Sequence, residues 1–354
     1  MKIYINGRFL TQRITGVQRY AREVVMALDK LFIEELPEDE WLLLTPHGAN
    51  NDLSLLNIKV KQCGNFHGHL WEQVELPFFS RDGILLNLCN CAPMIKRRQL
   101  MVIHDGAVAA YPSAYSWQFR YWYRIMHTIC GKITKKIVTD SQFSKNEISN
   151  YFSINKNKIT VIYAGIDHMD RIKSDDSVID ELGLNGEKFV LAVSSQNPTK
   201  NFSLVLKAAY LLPTIKFVIA GGTNSAVFSS ENIKQSNNVQ FAGYVSDEKL
   251  VSLYSHASVF VYPSLYEGFG FPPLEALSKG CQSIVSDCAS LPEVCGDYVH
   301  YCNAKDEHSM VNKIKDVMTE NNYSLHIEKV KEQMKAKYSW EKTAKSLLKL
   351  IRDS

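Results

Sequence analysis

The feature that most constrains the fold is an alternation of short apolar runs with longer amphipathic segments. In the first half, the runs with strand character are Lys2 to Asn6, Trp41 to Thr45, Ile84 to Leu88, Leu100 to His104, Lys136 to Thr139 and Lys158 to Ile162. Helical stretches separate several of these runs, and the first helix follows the loop that ends at Gly16. Strands that alternate with helices predict a parallel sheet covered by helices.

The same alternation restarts after a more polar segment, residues 169–188, which we interpret as a connection between domains. The later strand candidates are Phe189 to Ser194, Phe217 to Ala220, Val239 to Ala242, Val259 to Pro263 and Gln282 to Ser286. The helix candidates between them are Phe202 to Leu212, Asp247 to Ala257 and Pro272 to Lys279. We therefore predict an α/β chain with two doubly wound, Rossmann-like domains, 1–168 and 189–330, and a helix in 331–354 that packs back on them.

Composition limits the classes of partner and compartment. The 354 residues are 45% hydrophobic, which is enough for two cores, and 40 basic against 37 acidic residues give a net charge of +3. Such a balance does not indicate nucleic acid as a partner. No apolar run is long enough for a membrane span or a signal peptide, so we expect a cytoplasmic protein. The eight cysteines include no Cys-x-x-Cys pair, so we predict reduced thiols and no metal site.

The most informative segment, Pro263 to Ala276, runs from a strand end through a glycine turn into a helix. Gly268 and Gly270 permit close approach of a ligand to the backbone, and the start of the helix favours a phosphate. Seven residues separate Glu267 from Glu275, which we place in the first helical turn, so both carboxylates can face one ligand. Two isolated glutamates would more often be solvated or complement the helix dipole, but the glycines and prolines between them favour a binding site.

This Glu-x7-Glu segment resembles the signature of the retaining glycosyltransferases of family 4, which have the GT-B fold of two Rossmann-like domains facing each other across a cleft. Further segments resemble the family along nearly the whole chain: Trp71 to Gln73, Thr139 to Lys145, Val161 to Asp167, Phe241 to Asp247, Tyr254 to Ala257 and Ser290 to Val294. The resemblance implies transfer of a sugar from a nucleotide diphosphate to an acceptor. It implies that Glu275 binds the donor ribose and that Glu267 lies near the donor sugar.

The resemblance also implies the remaining donor contacts. Gly268, Phe269 and Gly270 would supply amides to sugar and phosphate. Lys200 matches the family's lysine that offsets diphosphate charge, and it is the principal cation here because the chain has Ser194 and Thr199 where many relatives carry basic residues. We expect the base pocket to involve the Gly221-Gly222-Thr223 and Gly243-Tyr244-Val245 turns, with Tyr244 as a donor contact.

In the first half, Gly16 resembles the glycine of the family's acceptor domain, whose amide faces the donor phosphate, although a structural cap is an equal alternative. His104, at a strand end, matches a histidine that approaches the donor sugar, and Asp105 either orients it or starts the next loop. The remaining acceptor contacts that we expect are Arg19, Asp105 and Trp71. Trp71 begins a Trp-Glu-Gln segment similar to that of members using mannose or deoxyhexose donors in bacterial O-antigen and polysaccharide synthesis.

Several alternatives stay open at this stage. The chain has no Asp-x-Asp, so we expect no metal and no cofactor, with helix amides and Lys200 holding the diphosphate. GDP-mannose is the first choice of donor, before dTDP-rhamnose, UDP-hexoses and UDP-N-acetylhexosamines.

The mechanism and the function class also stay open. Retention follows either from the departing phosphate acting as base or from Glu267 acting as a nucleophile. A non-catalytic sugar-nucleotide-binding module is a rival, whereas a dehydrogenase or epimerase would need a G-x-G-x-x-G turn that the first loop lacks.

The acceptor is expected to be a glycan, with an undecaprenyl-diphosphate-linked glycan as one hypothesis. Tyr115 to Lys136 mixes aromatic residues with arginines and lysines. Such a mixture suits the inner face of the plasma membrane, and it equally suits a core helix with cations at its surface.

Overall fold

The computed structural model describes residues 1–34, 38–50, 52–194, 197–222, 236–319 and 324–353. The chain divides into two compact units. The first comprises Met1–Gly165 together with Ser339–Ser354, and the second comprises Ile166–Tyr338. Each unit is built on its own sheet.

The first unit contains one parallel sheet within the described residues. Its strands are β1 (Lys2–Asn6), β2 (Glu40–Thr45), β3 (Lys59–Gln62), β4 (Ile84–Asn87), β5 (Gln99–Val102), β6 (Lys136–Thr139) and β7 (Ile159–Val161). They lie in the order β3-β2-β1-β4-β5-β6-β7, so the winding reverses between β1 and β4. Every residue of β4 and β5 is buried, as expected for parallel strands covered on both faces.

Helices cover this sheet. They are α1 (Gly16–Glu34), α2 (Gly68–Leu70), α3 (Leu76–Phe79), α4 (Ala107–Ala110), α5 (Trp117–Ile133) and α6 (Gln142–Phe152). A π-helical stretch, Trp71–Glu75, joins α2 to α3, and short 3-10 helices cover Gly7–Thr11, Pro112–Ala114 and Lys156–Lys158.

The second unit repeats this architecture. Its strands are β8 (Phe189–Ser194), β9 (Lys216–Gly221), β10 (Val239–Gly243), β11 (Val259–Tyr262), β12 (Ser283–Ser286) and β13 (His300–Cys302). The described strands lie in the order β10-β9-β8-β11-β12-β13, and all pairs are parallel. Its helices are α7 (Ser177–Glu181), α8 (Phe202–Leu211), α9 (Asp247–His256), α10 (Phe271–Ser278), α11 (Leu291–Cys295), α12 (Glu307–Thr319) and α13 (Ser324–Lys337). Short 3-10 helices cover Asp167–Arg171, Pro198–Lys200 and Gly296–Tyr298.

A last helix, α14 (Trp340–Arg352), returns to the first unit and packs on α1. The Trp340 ring meets the Tyr20 ring edge-on at 5.6 Å. The Thr343 hydroxyl donates to the Tyr163 carbonyl at 2.7 Å. Gly165 is required here, because a Cβ at this position would lie 2.2 Å from the Trp340 backbone nitrogen. The return of the chain is therefore fixed by close packing.

The two-domain α/β class is confirmed, and the structure differs from the sequence prediction in detail. Residues 169–188, which we expected to connect the domains, fall within the second unit. Val178 and Ile179 of α7 are buried, and Lys249 of α9 pairs with Glu181 at 2.6 Å. The expected tail 331–354 is likewise divided, because α13 ends at Lys337 in the second unit whereas α14 belongs to the first.

Two of the strands within the described ranges were missed by the prediction. All four residues of β3 are exposed at the sheet edge, so no apolar run marks it. The other, β13, has only three residues.

One buried histidine should make the first unit sensitive to acid. His127 of α5 is buried, and its Nε2 donates to the Asn90 carbonyl at 2.8 Å. Burial lowers the pKa of His127 to about 4. The unfolded chain, with a histidine pKa of about 6.5, therefore takes up this proton first, and stability falls as the pH drops from about 6.5 towards 4.

We expect His127 to cost the first unit about 2 kcal/mol at pH 5 relative to neutral pH. Native-state hydrogen exchange of the α5 amides at both pH values would measure this loss. In His127→Gln that part of the pH dependence should vanish, while the exposed-site variant His47→Gln should behave as wild type. Equal acid losses in wild type and His127→Gln would contradict the prediction.

Candidate active site

The strand order of the second sheet reverses between β8 and β11, which pair directly. Ligands of open parallel sheets bind at such a reversal, outside the carboxyl ends of the strands. The loop after β8 carries Lys200, and the loop after β11 carries Glu267. The backbone joins these loops, because Leu265 donates its N–H to the Thr199 carbonyl at 2.7 Å.

Lys200 and Glu267 form an ion pair across the two loops. The Lys200 Nζ lies 2.6 Å from the Glu267 Oε1 and donates to the Tyr262 hydroxyl at 2.8 Å. The Tyr262 and Ser264 hydroxyls lie 2.9 and 2.6 Å from the same Oε1. Burial, and then the Glu267 charge, raises the pKa of Tyr262 well above its ordinary value, so its hydroxyl stays a donor. Three donors therefore fix one carboxylate oxygen of Glu267.

The second oxygen of Glu267 is placed differently. Oε2 makes no hydrogen bond to another described residue, and solvent can reach it. The side chain of Glu267 is 10% exposed and that of Lys200 is 22% exposed. The pair can thus offer a carboxylate oxygen and a cation to a ligand without losing the contacts that hold them.

The glycine turn leads into α10. Gly270 has φ +98°, and a Cβ there would lie 2.7 Å from the Leu291 Cδ2, so only glycine fits without strain. Pro272 and Pro273 occupy the second and third helical positions and have no N–H, so of the first four helical residues only Phe271 and Leu274 carry an amide hydrogen. The turn therefore offers fewer helix donors than its position at a helix start suggests.

Glu275 is the fifth residue of α10, because this helix begins at Phe271, so the expected place in the first turn was wrong. Its Oε1 lies 3.5 Å from the Nε2 of the buried His168, and the Tyr254 hydroxyl lies 3.4 Å from its Oε2. Burial, and then the Glu275 charge, raises the pKa of Tyr254 well above its ordinary value. Because Glu275 lies beyond the first helical turn, interaction with the helix dipole does not explain its position. Its side chain is 13% exposed, and a carboxylate can accept from ligand hydroxyls.

The other donor-site candidates are divided. Gly268 lies in the turn directly after Glu267. The Phe269 side chain is buried, with its ring 5.5 Å from that of Tyr338, so it packs in the interior and anchors the turn there. Tyr244, just beyond β10, is 69% exposed. Thr223 of the expected base pocket lies outside the described residues.

In the first unit His104 is buried and both its nitrogens are engaged. Nδ1 lies 2.5 Å from the Asp140 Oδ2, and Nε2 lies 3.0 Å from the Leu88 carbonyl oxygen. Burial lowers the pKa of His104, but the Asp140 charge and hydrogen bond raise it more, so the net pKa is above the ordinary value. Asp105 does not orient this ring, contrary to one expectation; its Oδ1 accepts from the Ala107 N–H at the start of α4. Asp140 is the partner that sequence reasoning missed.

The remaining first-unit candidates lie at two different depths. Gly16 is exposed and begins α1, where the Gln18 Oε1 accepts from the Thr15 N–H at 3.2 Å, which is one of the two hydrogen bonds of a capping box. Arg19 is half-buried one turn further on. Trp71 is completely buried and donates its indole N–H to the Cys63 carbonyl at 2.8 Å, so the expected acceptor contact of Trp71 does not fit the structure.

Among the described residues, one group has metal-type ligands close together: His69, Glu72 and Cys91. Glu72 is already engaged, because its Oε1 accepts from Asn6 at 2.7 Å and lies 3.2 Å from the Nε of Arg8. Burial raises the pKa of Cys91 to about 12, which disfavours the thiolate that a metal requires. This cluster therefore fits a buried polar network better than a metal centre.

Comparison with known proteins gives related enzymes. The O-antigen chain mannosyltransferase RfbU of Salmonella typhimurium is 29% identical over 68% of this chain and 66% of its own length. The O-antigen chain mannosyltransferase B of Escherichia coli is 30% identical over 84% of this chain and 85% of its own. The serotype-specific mannosyltransferase WbdA of Escherichia coli is longer; its match is 23% identical over 97% of this chain and 44% of WbdA.

Solved structures share the fold over the full chain. The Anabaena protein Alr3699/HepE, in complex with UDP and glucose, has a TM-score of 0.75 and 15% identity over 100% of both chains. Sucrose-phosphate synthase from Thermosynechococcus elongatus has a TM-score of 0.74 and 16% identity over 99% of this chain and 98% of its own. Residues 175–350 match the family described as Glycosyl transferases group 1. With this match and the similarity to the second mannosyltransferase over most of both chains, the protein belongs to the glycosyl transferases group 1 family.

Proposed function

We propose that the protein transfers a hexose or deoxyhexose, with retention of configuration, from a nucleotide diphosphate to a glycan acceptor in bacterial surface polysaccharide synthesis. The names of the relatives, O-antigen chain mannosyltransferases, support mannose as the sugar and GDP-mannose as the first donor to test. Other candidate donors are dTDP-rhamnose, UDP-hexoses and UDP-N-acetylhexosamines. The cytoplasm is the proposed compartment, because nucleotide sugars would be the donor.

The observation that carries this proposal is the pairing of Lys200 with Glu267 where the second sheet reverses. A cation beside a departing diphosphate stabilises the charge that develops there. The Oε2 of Glu267 would face the donor sugar, while Glu275 would accept hydrogen bonds from the ribose hydroxyls. Lys200 and the amides of Gly268 and Gly270 would hold the diphosphate without a resident metal.

We propose that retention arises on one face of the sugar. As the sugar–phosphate bond loosens, the anomeric carbon gains positive charge, and the acceptor hydroxyl enters from the side of the departing phosphate, which takes its proton. The three donors on the Oε1 of Glu267 favour an electrostatic role for this carboxylate over covalent attack, because they already stabilise its charge.

In the first unit, Gly16, Arg19 and Asp105 remain proposed contacts to donor phosphate and acceptor. His104 would position the loop after β5.

The experiment that tests the function is a panel of UDP, GDP, dTDP and CMP sugars, presented to the purified protein with EDTA. Donor binding is followed by thermal shift, and sugar release by liberation of the nucleotide. Stabilisation by one nucleotide class together with turnover would support a transferase. Binding without turnover would favour the non-catalytic binding module, and no binding at all would remove the proposal.

Glu275→Gln should weaken nucleotide binding, because the neutral amide loses a charged acceptor for the ribose. A hydrogen bond to a charged group is worth about 1.5–3 kcal/mol, so we expect roughly a 10- to 150-fold higher Kd. Isothermal titration with the preferred nucleotide measures it. Glu332→Gln, on the exposed face of α13, is the matched control and should bind as wild type. An unchanged Kd for Glu275→Gln would exclude the ribose contact.

Lys200→Met should lower kcat by about 100- to 1,000-fold, with a smaller change in KM, because the cation acts mainly on charge that develops during reaction. The exposed-site variant Lys188→Met is the control and should keep wild-type rates.

Glu267→Gln should retain measurable transfer and form no covalent sugar adduct by mass spectrometry. An adduct on the wild-type Glu267 in the absence of acceptor would instead establish double displacement.

We also propose that the first unit meets the inner leaflet of the membrane, where a polyprenyl-diphosphate-linked glycan would be presented. No helix within the described residues is long and apolar enough to cross a membrane. Trp117, Tyr121 and Ile125 are exposed at four-residue spacing on α5, beside the exposed cations Arg120 and Arg124. An exposed apolar face flanked by arginines suits an anionic interface.

A second exposed row extends this surface: Leu70, Val74 and Phe78, again at four-residue spacing. The His69 ring, next to Leu70, lies 5.3 Å from that of Trp122 on α5, so the elements that carry the two rows are in contact.

Vesicle flotation checks this surface. The protein should float with vesicles containing phosphatidylglycerol and not with neutral vesicles. Arg120→Gln should weaken binding about fivefold, because each basic residue near the membrane contributes about 1 kcal/mol. Trp117→Ser should weaken it further, whereas Ile33→Ser, at an exposed position of α1, should not. Equal flotation of all variants would refute the assignment of this surface.

A further inference from the structure

The contact between His168 and Glu275 joins two segments of the second unit that are far apart in the sequence. His168 lies in the 3-10 helix Asp167–Arg171, and Glu275 lies on α10. The His168 side chain is buried, and its Nε2 lies 3.5 Å from the Glu275 Oε1. A ring nitrogen that faces a carboxylate oxygen is favourable only when it carries a hydrogen, so we assign a hydrogen to this Nε2.

The chain is anchored on both sides of His168. Before it, Ile166 donates its N–H to the Tyr338 carbonyl at 3.0 Å. After it, the carbonyl of the buried Met169 accepts from the Lys279 Nζ at 2.7 Å. These contacts lie within the second unit and involve no ligand, so the histidine ring is in place before a ligand binds.

The Lys279 contact also decides which donors face the Glu275 carboxylate. Lys279 follows Glu275 by four positions, a spacing at which lysine and glutamate commonly pair along a helix. The Lys279 ammonium group donates to the Met169 carbonyl instead. Among the described residues, the side chains that approach the Glu275 carboxylate as donors are those of His168 and Tyr254.

These two donors face different oxygens of Glu275. His168 lies 3.5 Å from Oε1, and the Tyr254 hydroxyl lies 3.4 Å from Oε2. The Tyr254 ring is fixed as well, because it is buried and packs edge-on against Phe260 at 5.4 Å. Both contacts to Glu275 are longer than ordinary hydrogen bonds of about 2.5–3.2 Å. A carboxylate has about four acceptor positions, so one long contact on each oxygen orients the group and leaves it able to accept from a ligand.

A ligand can meet Glu275 without touching His168. Solvent reaches part of the Glu275 side chain, whereas the His168 side chain is closed off. A ribose presents two neighbouring hydroxyls, and a carboxylate presents two oxygens that accept from them. Any effect of His168 on the binding of a ribose would therefore pass through the orientation of Glu275.

We propose that His168 is a positioning residue for nucleotide recognition, which holds the Glu275 carboxylate in the orientation in which both oxygens accept from ribose hydroxyls. The inference rests on the proposed transferase function, because that function supplies the nucleotide. It separates the contact that Glu275 makes from the alignment that the buried histidine provides. Loss of the histidine ring should therefore weaken only ligands that carry the ribose hydroxyls.

The test is isothermal titration of the full chain with GDP, or the diphosphate of whichever base the nucleotide panel selects, and with its 2′,3′-dideoxy counterpart. Wild type should bind the nucleotide with ribose hydroxyls about 10- to 150-fold more tightly, because these hydroxyls meet a charged acceptor. His168→Leu should lower this ratio about tenfold and leave the dideoxy Kd within about twofold of wild type, which also shows that the variant is folded.

Two amide variants test the position of the N–H. His168→Gln can place an N–H near the position of Nε2 and should restore most of the ratio. His168→Asn has an amide that stops short of this position and should lower the ratio as His168→Leu does. If the leucine variant does not fold, this pair decides the case, because equal ratios for the two amides would overturn the proposal.

The controls separate positioning from a general structural role. His308→Leu, at an exposed position of α12, is the matched control and should keep the wild-type ratio. In a Glu275→Gln background, His168→Leu should not lower the ratio further, because the carboxylate to be positioned is gone. Equal weakening of both nucleotides by His168→Leu would show a purely structural role, and an unchanged ratio would show no role, so either result would overturn the proposal.

The same titrations distinguish the failure of this proposal from the failure of the proposed function. Nucleotide binding with sugar turnover, together with a ratio that His168→Leu does not change, would overturn the positioning role and leave the transferase function standing. The expected ratios without turnover would support the positioning role and favour the non-catalytic binding module. If wild type binds neither nucleotide, both proposals fall.

Discussion

Parallel pairing of strands is the constraint on which the rest of this structure depends. Because every strand of a sheet runs the same way, all carboxyl ends meet at one edge, and loops distant in sequence become neighbours there. In the second unit this brings Lys200 to Glu267, and in the first it brings Arg8 to Asn90. In each unit, polar side chains from two separate loops thus meet where the winding of the sheet reverses.

The ion pairs at the two reversals differ in burial. The side chains of Lys200 and Glu267 are 22% and 10% exposed, so a ligand can reach both charges from solvent. Arg8 and Glu72 are almost fully buried, and removal of either partner would leave an unpaired charge in the interior. The first pair is therefore accessible to a charged reactant, whereas the second is a fixed part of the interior of the first unit.

The sequence predicted the buried strands and the glycine turn well, because apolar runs and glycine-proline punctuation are local signals. It missed β3, whose residues face solvent at an edge. It could not predict that His104 pairs with Asp140, 36 positions away, rather than with the adjacent Asp105. Trp71 was placed in a site because its neighbours resemble those of relatives, yet its burial depends on packing that no local pattern encodes.

The packing of α14 on α1 means that the first unit is discontinuous in the chain. During synthesis, residues 1–165 leave the ribosome without the helix that covers Tyr20, and the whole second unit follows before Trp340 arrives. The second unit can fold as one uninterrupted segment, whereas the first must wait with part of its surface uncovered. A ribosome that stalls after Tyr338 would therefore release a chain whose second unit is complete and whose first unit lacks its last helix.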